Sequence, residues 1–284
     1  INVNGERVPQ DGYITPLLTR YAADFLEQQR AKDEPFFLYL SHKAVHGPFT
    51  PEPKYDGSLA EEPFTYPESS ALLSNNLKNR PRWLLDQRNS WHGMDFPLHT
   101  DTSAEAFLRS YCEALRSVYD SIGAVMEQLK KMGLHKETLI IYMGDNGYMF
   151  GEHGHIDKRI AYETSSRVPM LMQCPELFAG GTVVEEVVAN IDIAPTVMDV
   201  MGLEKAPHMD GQSFLPLALR KEIPWRDYFL YAYYWEQKNL IHEPQFAKIR
   251  DAMQSRLYEM MDELGGMAIP MNPPRGRQQN KRLR

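Results

Sequence analysis

One long amphipathic pattern constrains the fold of this chain more than any other feature. Apolar residues recur at helical spacing from Phe107 to Leu129, and Gly133 follows as a residue suited to end the helix. Short apolar runs at 36–40 and 139–143 lie before and after this pattern, and each has the length of a buried strand. Strand, helix and strand in this order predict an α/β domain with a mainly parallel sheet flanked by helices.

The alternation continues towards the C-terminus with two strands, a short helix, an aromatic strand and a final helix. These predicted elements span 168–172, 183–188, 194–201, 228–235 and 244–264. The residue pattern changes after Pro224, where an aromatic segment and a helical pattern follow, and this predicts a domain boundary near residue 222. We therefore expect an α/β domain over 1–222, a smaller subdomain over 223–271 and a disordered basic tail over 272–284. Within the first domain, 50–100 is rich in Pro, Ser and Asn, which is typical of a long functional loop.

Charge and composition exclude several classes of protein. The formal net charge is −7, although residues 272–284 contain five basic residues and no acidic one. The rest of the chain is therefore strongly acidic, which argues against nucleic acid as a partner. No apolar run reaches the roughly 18 residues that a membrane span requires. Two cysteines, Cys112 and Cys174, are too few for a disulfide scaffold and are expected in the core.

The densest polar cluster follows the run at 139–143 and extends to Arg159. Asp145 and Asn146 come first, and carboxylate and amide oxygens suit Ca²⁺ or Mg²⁺ better than Zn²⁺. His153 and Lys158 follow, which suggests a metal site combined with a site for an oxyanion. An Asx turn with solvated charges explains the same residues equally well.

A second polar segment follows the run at 36–40 and contains His42 and His46. Because the carboxyl ends of parallel strands meet at one edge of a sheet, both polar segments are expected in a shared cleft. Glu163 and Arg167 are four residues apart and are expected to form a structural ion pair.

Four segments in this order resemble the sulfatases of the alkaline-phosphatase superfamily. They read FFLYLSHKAVHGPF, TLIIYMGDNGYMFGEHGHIDKR, AYETSSRVPMLM and VVANIDIAPTVMDVMG. The order and spacing are similar over 13–222, apart from 50–100. The resemblance implies an alkaline-phosphatase-like α/β fold, present here as its C-terminal half, with a truncated C-terminal α+β subdomain of which 223–271 is a remnant.

The resemblance also implies a chemistry. In that family a cysteine becomes formylglycine, whose hydrate attacks the sulfur of a sulfate ester at a Ca²⁺ site. By similarity, Asp145 and Asn146 are metal ligands, Lys158 contacts the sulfate, and His46 is the general acid. His153 matches a histidine found in only part of the family, and His42 is a further candidate for substrate contact. A transition state rich in negative charge needs such preorganised positive charge.

Parts of the family pattern are absent. The chain contains neither C-x-P-S-R nor C-x-A-S-R, so we expect it to carry no nucleophile. The N-terminal aspartates that complete the calcium site in the family are missing too, so we expect weak metal binding. The implied partner, besides a small-molecule or glycan sulfate ester, is the missing N-terminal half of the same protein.

For the substrate and the cellular compartment, the sequence leaves several alternatives open. The family texture implies a sulfated sugar, and Trp83 and Trp91 can stack on its faces or serve as buried loop anchors. The alternatives are a phosphodiesterase or phosphonate monoester hydrolase of the same superfamily, or a non-catalytic remnant that binds sulfated glycans. The family implies a periplasmic, secreted or lysosomal location, although no signal-peptide pattern occurs at Ile1.

Overall fold

The described part of the chain forms two compact units. The computed structural model describes residues 1–30, 32, 34–64, 103–158, 160, 162–227 and 247–263. The first unit comprises 1–64 with 103–139, and the second comprises the described residues from 140 onwards. The predicted strand at 228–235 and the basic tail at 272–284 lie outside the described residues. The predicted domain boundaries stay a prediction.

Two packed helices form the body of the first unit. Its elements are a hairpin of β1 (Asn2–Val3) and β2 (Glu6–Arg7), helix α1 (Ile14–Gln29) and helix α2 (Ala104–Met132). Helix α2 begins where Ser103 Oγ accepts a hydrogen bond from the Ala106 amide, and it ends at Gly133 in the left-handed region. Leu26 of α1 and Leu129 of α2 are nearly fully buried, as their helical spacing predicts.

The first part of the predicted loop insertion packs on α2. The carboxylate of Glu113 is buried and accepts a hydrogen bond of 2.9 Å from the Leu59 amide. Asp120, further along the same helix, accepts hydrogen bonds from Lys54 at 2.6 Å and from the Tyr55 hydroxyl at 2.5 Å. Residues 51–64 are therefore anchored turns, whereas 65–100, with Trp83 and Trp91, lie outside the described residues.

The second unit combines short strands with short helices. Its elements are β3 (Ile140–Met143), β4 (Met149–Phe150), β5 (Ile156–Asp157), helix α3 (Glu163–Ser166), β6 (Met170–Gln173), a 3₁₀ turn (Asn190–Asp192), and helices α4 (Ile193–Val200), α5 (Leu215–Ala218) and α6 (Ala247–Glu263). The predicted helices at 194–201 and 244–264 are confirmed within a few residues. Within the described residues, no helix is both long and apolar enough to cross a membrane.

The strand pairs of the second unit are antiparallel within the described residues. In the described residues β3 pairs with β6 antiparallel, with Ile140 opposite Gln173 and Met143 opposite Met170. The pair β4–β5 is antiparallel as well, so the mainly parallel sheet is not seen here. The reason lies in the connection, because the one-turn helix α3 and the β4–β5 hairpin return the chain without the long crossover helix that parallel strands require.

Two predicted strands do not form. Residues 36–40 have no strand partner among the described residues, and Phe37 and Tyr39 are 67% and 80% exposed. Their neighbours Phe36, Leu38 and Leu40 are half-buried, so the segment alternates instead of being buried on both faces. Residues 183–188 are irregular too, with Val183 73% exposed. An apolar run reports strand propensity, but a strand also requires a neighbour to pair with.

Helix α2 allows a matched test of backbone conformation. Gly133 has φ +77°, whereas Gly123 is an exposed interior helical residue, and a Cβ at either position meets nothing within 4 Å. Gly133→Ala is expected to cost about 1–2 kcal/mol, because L-residues are strained in the left-handed region. Gly123→Ala is expected to stabilise by roughly 0.5–1 kcal/mol through reduced backbone entropy of the unfolded chain. Urea denaturation followed by circular dichroism measures both changes in the free energy of unfolding. If both variants were stabilised or both destabilised, the assigned backbone conformations would be contradicted.

Candidate functional site

The loop after β3 carries the two predicted metal ligands. Asp145 is exposed and Asn146 is half-buried. The Asn146 amide N–H donates to Asp145 Oδ1 at 2.9 Å, and Asn146 Nδ2 donates to the Gly147 carbonyl at 2.7 Å. With Nδ2 used in this way, the Oδ1 atom of Asn146 and the carboxylate of Asp145 are the oxygens that this loop could offer to a cation. These two hydrogen bonds join neighbouring residues within the loop and restrict both side chains.

Gly147 fixes this loop against the segment that precedes β6. Its N–H donates to the Ser165 carbonyl at 2.9 Å. A Cβ at position 147 would lie 2.2 Å from the Thr164 carbonyl oxygen and 2.9 Å from that of Arg167. Only glycine permits this close approach, so the loop that bears Asp145 is pressed onto the backbone of α3.

Asp145 and Asn146 offer the type of ligand atom that a calcium site needs, but too few of them. Asp145 and Asn146 offer hard oxygen atoms, which Ca²⁺ prefers. Within the described ranges, no group of three or more His, Cys, Asp or Glu residues is placed to hold a metal ion. A complete shell of 6–8 oxygens would therefore need further ligands beyond these two residues.

Two histidines of this unit, His153 and His155, are buried beside one aromatic ring. The His153 ring stacks on Tyr162 with centroids 4.0 Å apart, and the ring of His155 lies 6.4 Å from it. His153 is 6% exposed and His155 is fully buried. His153 is packed against Tyr162, and its predicted contact with substrate stays a prediction. The burial of His155 depends on tertiary packing and could not be predicted from the sequence.

Charged residues follow β5 in the sequence. Lys158 comes directly after β5 and is half-buried. Glu163 and Arg167 form an ion pair of 2.6 Å on the turn of α3. The predicted pair is therefore confirmed, and its exposed position makes it a weak contributor to stability.

In the first unit, His42 is tied to both helices. Its Nε2 atom lies 2.9 Å from Ser121 Oγ on α2, which lies 2.6 Å from Thr19 Oγ1 on α1. The Nδ1 atom of His42 is buried and has no hydrogen-bond partner in the part of the chain that the structure describes. Burial lowers the pKa of His42 below 6.5, because the charged imidazolium loses its hydration.

His46 is placed differently from His42. Its side chain is exposed, and its Nδ1 atom lies 2.9 Å from the Gly47 carbonyl. Its backbone N–H donates to the Lys43 carbonyl at 2.8 Å, which closes a turn around the residue. An Nδ1–H donated to Gly47 would leave Nε2 free to act on a ligand. His42 and His46 belong to the first unit and the other predicted residues to the second, so the shared cleft stays a prediction.

Neither cysteine sits in a setting that activates a nucleophile. Cys112 is half-buried on α2, and burial together with Glu113 raises the pKa of its thiol. Cys174 follows β6 and is 2% exposed. A raised pKa lowers the thiolate fraction, which is the reactive form.

Asp192 is the residue that sequence reasoning missed. Its carboxylate is fully buried and forms an ion pair with Arg226 at 2.6 Å. The neighbouring Asn190 donates from Nδ2 to the Asp145 carbonyl at 3.0 Å. An acidic residue directly before an apolar helix was the available signal, but its partner is far away in the sequence.

Similarity to known proteins covers most of the chain. The family model described as Sulfatase matches residues 2–203. An N-acetylglucosamine-6-O-sulfatase of Bacteroides thetaiotaomicron is 26% identical over 81% of this chain and 51% of its own length. An N-acetylglucosamine-6-sulfatase of Bos taurus is 31% identical over 84% of this chain and 41% of its own length. The chain therefore spans about half the length of these relatives.

Solved structures show the fold. A protein solved in complex with its substrate D-glucosamine-2-N,6-O-disulfate is similar with a TM-score of 0.79, at 20% identity over 91% of this chain and 71% of that chain. The phosphonate monoester hydrolase of Agrobacterium radiobacter has a TM-score of 0.72, at 19% identity over 93% of this chain and 65% of that chain. These likenesses confirm the predicted α/β fold class.

Gly147→Ala is expected to displace the loop that carries Asp145. Its Cβ overlaps the Thr164 carbonyl, whereas a Cβ at Gly144 meets Val168 Cγ1 at an ordinary 3.4 Å. Hydrogen exchange should rise strongly at 145–147 in Gly147→Ala, with about 1–3 kcal/mol lost in urea denaturation. Gly144→Ala is the control and should remain near wild type. Equal exchange in the two variants would contradict the close approach.

The burial of His42 predicts a pH-dependent contribution to stability. Because its pKa is lower when folded than the usual 6.5, the unfolded chain binds more protons as the pH falls below about 6.5. His42 therefore destabilises the fold on acidification, and His42→Gln should reduce that loss. Urea denaturation at a series of pH values measures the change in stability, and NMR titration of the imidazole measures the pKa of His42. A His42 pKa at or above 6.5 would contradict it.

Proposed function

Since the chain belongs to the sulfatase family, whose model matches residues 2–203, we propose that it takes part in hydrolysing a sulfate ester. The observation that carries the proposal is the loop after β3, where Asp145 and Asn146 present hard oxygens. The half-buried Lys158 supplies a cation in the same unit. Oxygen ligands and a cation are the groups that hold an anionic ester.

Each residue has a proposed role. Asp145 and Asn146 would provide two of the ligands of a Ca²⁺ ion, which when bound would supply positive charge that stabilises the sulfate. Lys158 contacts a sulfate oxygen through its ammonium group and stabilises negative charge that develops there. His46, exposed and oriented by Gly47, donates a proton to the leaving oxygen.

The nucleophile is proposed to come from outside the 284 residues. The chain lacks the family's cysteine motif, and both of its cysteines lie in settings that suppress reactivity. The relatives it matches are about twice as long as the matched region, which supports a further polypeptide segment that carries formylglycine and the remaining metal ligands.

The proposed substrate is a sulfated glucosamine. Two relatives are named N-acetylglucosamine 6-sulfatases, and one structural neighbour was solved with D-glucosamine-2-N,6-O-disulfate. Stacking of sugar faces on Trp83 and Trp91 belongs to this proposal, although both lie outside the described residues. A Drosophila melanogaster relative, 30% identical, is named an extracellular sulfatase, which supports a location outside the cytoplasm.

The isolated chain is expected to be inactive. Loss of a nucleophile typically costs about 10⁶-fold in turnover. The purified 284-residue chain should therefore show no release of sulfate from glucosamine 6-sulfate or an aryl sulfate above background. Robust turnover, or formylglycine detected in it by mass spectrometry, would contradict the proposed division of roles.

The full-length product of the natural gene tests the residues. Lys158→Ala should lower kcat/KM for glucosamine 6-sulfate by about 10²–10³-fold through the lost stabilisation of charge. His46→Ala should lower it by about 10²–10⁴-fold, with less effect on aryl sulfates whose leaving group needs no proton.

Lys221→Ala, at an exposed lysine of the second unit, is the matched control and should retain full activity. Preference for a phosphonate monoester over both sulfate esters would instead favour the phosphonate hydrolase alternative. Unchanged rates in both Lys158→Ala and His46→Ala would remove these residues from the site.

A further inference from the structure

The second unit contains a carboxylate with a complete set of donors. Asp192 is fully buried and receives both terminal nitrogens of Arg226, at 2.6 and 2.8 Å. Two backbone amides donate to the same carboxylate, from Ala189 at 2.8 Å and from Gln212 at 3.0 Å. Such a bidentate pair with satisfied lone pairs holds its geometry firmly.

This carboxylate fixes the turn that precedes α4. Ala189 lies just before the 3₁₀ turn Asn190–Asp192, so the bond from its amide closes the turn on Asp192. On the other side a Cβ at Gly211 would lie only 2.0 Å from the Ile191 carbonyl oxygen. The turn is therefore held by a side-chain clamp, made of Asp192 and Arg226, and by a close backbone contact.

The held turn presents one side chain to the loop after β3. Asn190 is exposed, and its Nδ2 donates to the Asp145 carbonyl at 3.0 Å. On its other side the loop is held through Gly147 and the Ser165 carbonyl. Asp145 thus lies between two anchors, and the one from Asn190 acts directly on the residue whose carboxylate is the proposed metal ligand.

We propose that Asn190 is a positioning residue for the Asp145–Asn146 metal site, with the Asp192–Arg226 clamp as its support. The inference rests on the proposed function in one respect, namely that Asp145 and Asn146 ligate Ca²⁺. The hydrogen bond from Asn190 to the main-chain carbonyl of Asp145 limits rotation of the Asp145 backbone. The Asp145 carboxylate is therefore kept close to the position in which it would bind a cation. Fewer loop conformations then have to be lost when the cation binds.

Hydrogen exchange of the 284-residue chain tests the positioning itself. Asn190→Ala removes the donor, and Asn190→Asp places a carboxylate against the Asp145 carbonyl. Exchange over 144–148 should rise about 3–10-fold in both variants, with the thermal midpoint unchanged because Asn190 is exposed. Arg226→Lys keeps the charge but loses the bidentate contact, and it should raise exchange over 189–192 as well as 144–148.

Glu186→Ala provides the control, since it replaces an exposed polar residue just before the same turn. It should leave exchange over 144–148 as in the wild type. Unchanged exchange in both Asn190 variants would overturn the inference, whatever the enzyme does.

Calcium titration of the full-length gene product tests the link to the metal. Isothermal calorimetry with CaCl₂ should give a Kd raised about 3–10-fold in Asn190→Ala and unchanged in Glu186→Ala. An unchanged Kd together with raised exchange would overturn the metal role of Asn190. If the wild-type product binds no Ca²⁺ at all, the proposed metal site itself fails, while the exchange data still decide whether Asn190 positions the loop.

Discussion

The buried pair of Asp192 and Arg226 is the interaction on which the second unit depends. A carboxylate with no exposure is tolerated only when its charge and lone pairs are matched, and here a guanidinium and two backbone amides provide that match. The pair fixes the turn before α4, and Asn190 on that turn contacts the loop of Asp145. In this way a structural ion pair restricts where the loop of Asp145 can lie.

The first unit depends on α2 in a comparable manner. Apolar residues on one side of that helix pack on α1, while its polar side chains Glu113 and Asp120 hold residues 51–64. Ser121 of the same helix meets His42. One helix therefore supplies the core, anchors the start of the long insertion and orients a histidine near the proposed general acid. The buried polar side chains Glu113, Ser117 and Ser121 of this helix each have a hydrogen-bond partner, as polar groups removed from water require.

Much of the fold could be predicted from sequence, and so could the residue types of the candidate site. The bounds of α2 followed from its apolar period and from Gly133, and the resemblance of four motifs to sulfatases is confirmed by the family match. The loop of Asp145 and Asn146 was located by its residue types. Strand direction and the pairing of residues 36–40 were not predictable, because an apolar run contains no information about its neighbour. Asp192 escaped notice since its partner Arg226 is 34 residues away.

The sequence by itself determined the family, the helices and the residue types that can bind an anion or a cation. Those properties depend on local spacing and on the chemistry of single side chains, both of which are written in the chain. Only the tertiary structure decided that Gly147 lies against the backbone of α3, that His42 contacts Ser121 of α2, and that Asn190 holds Asp145. Each of these three contacts brings residues that are distant in sequence within a few ångströms of each other. At that distance, steric exclusion and loss of hydration determine which arrangements are possible.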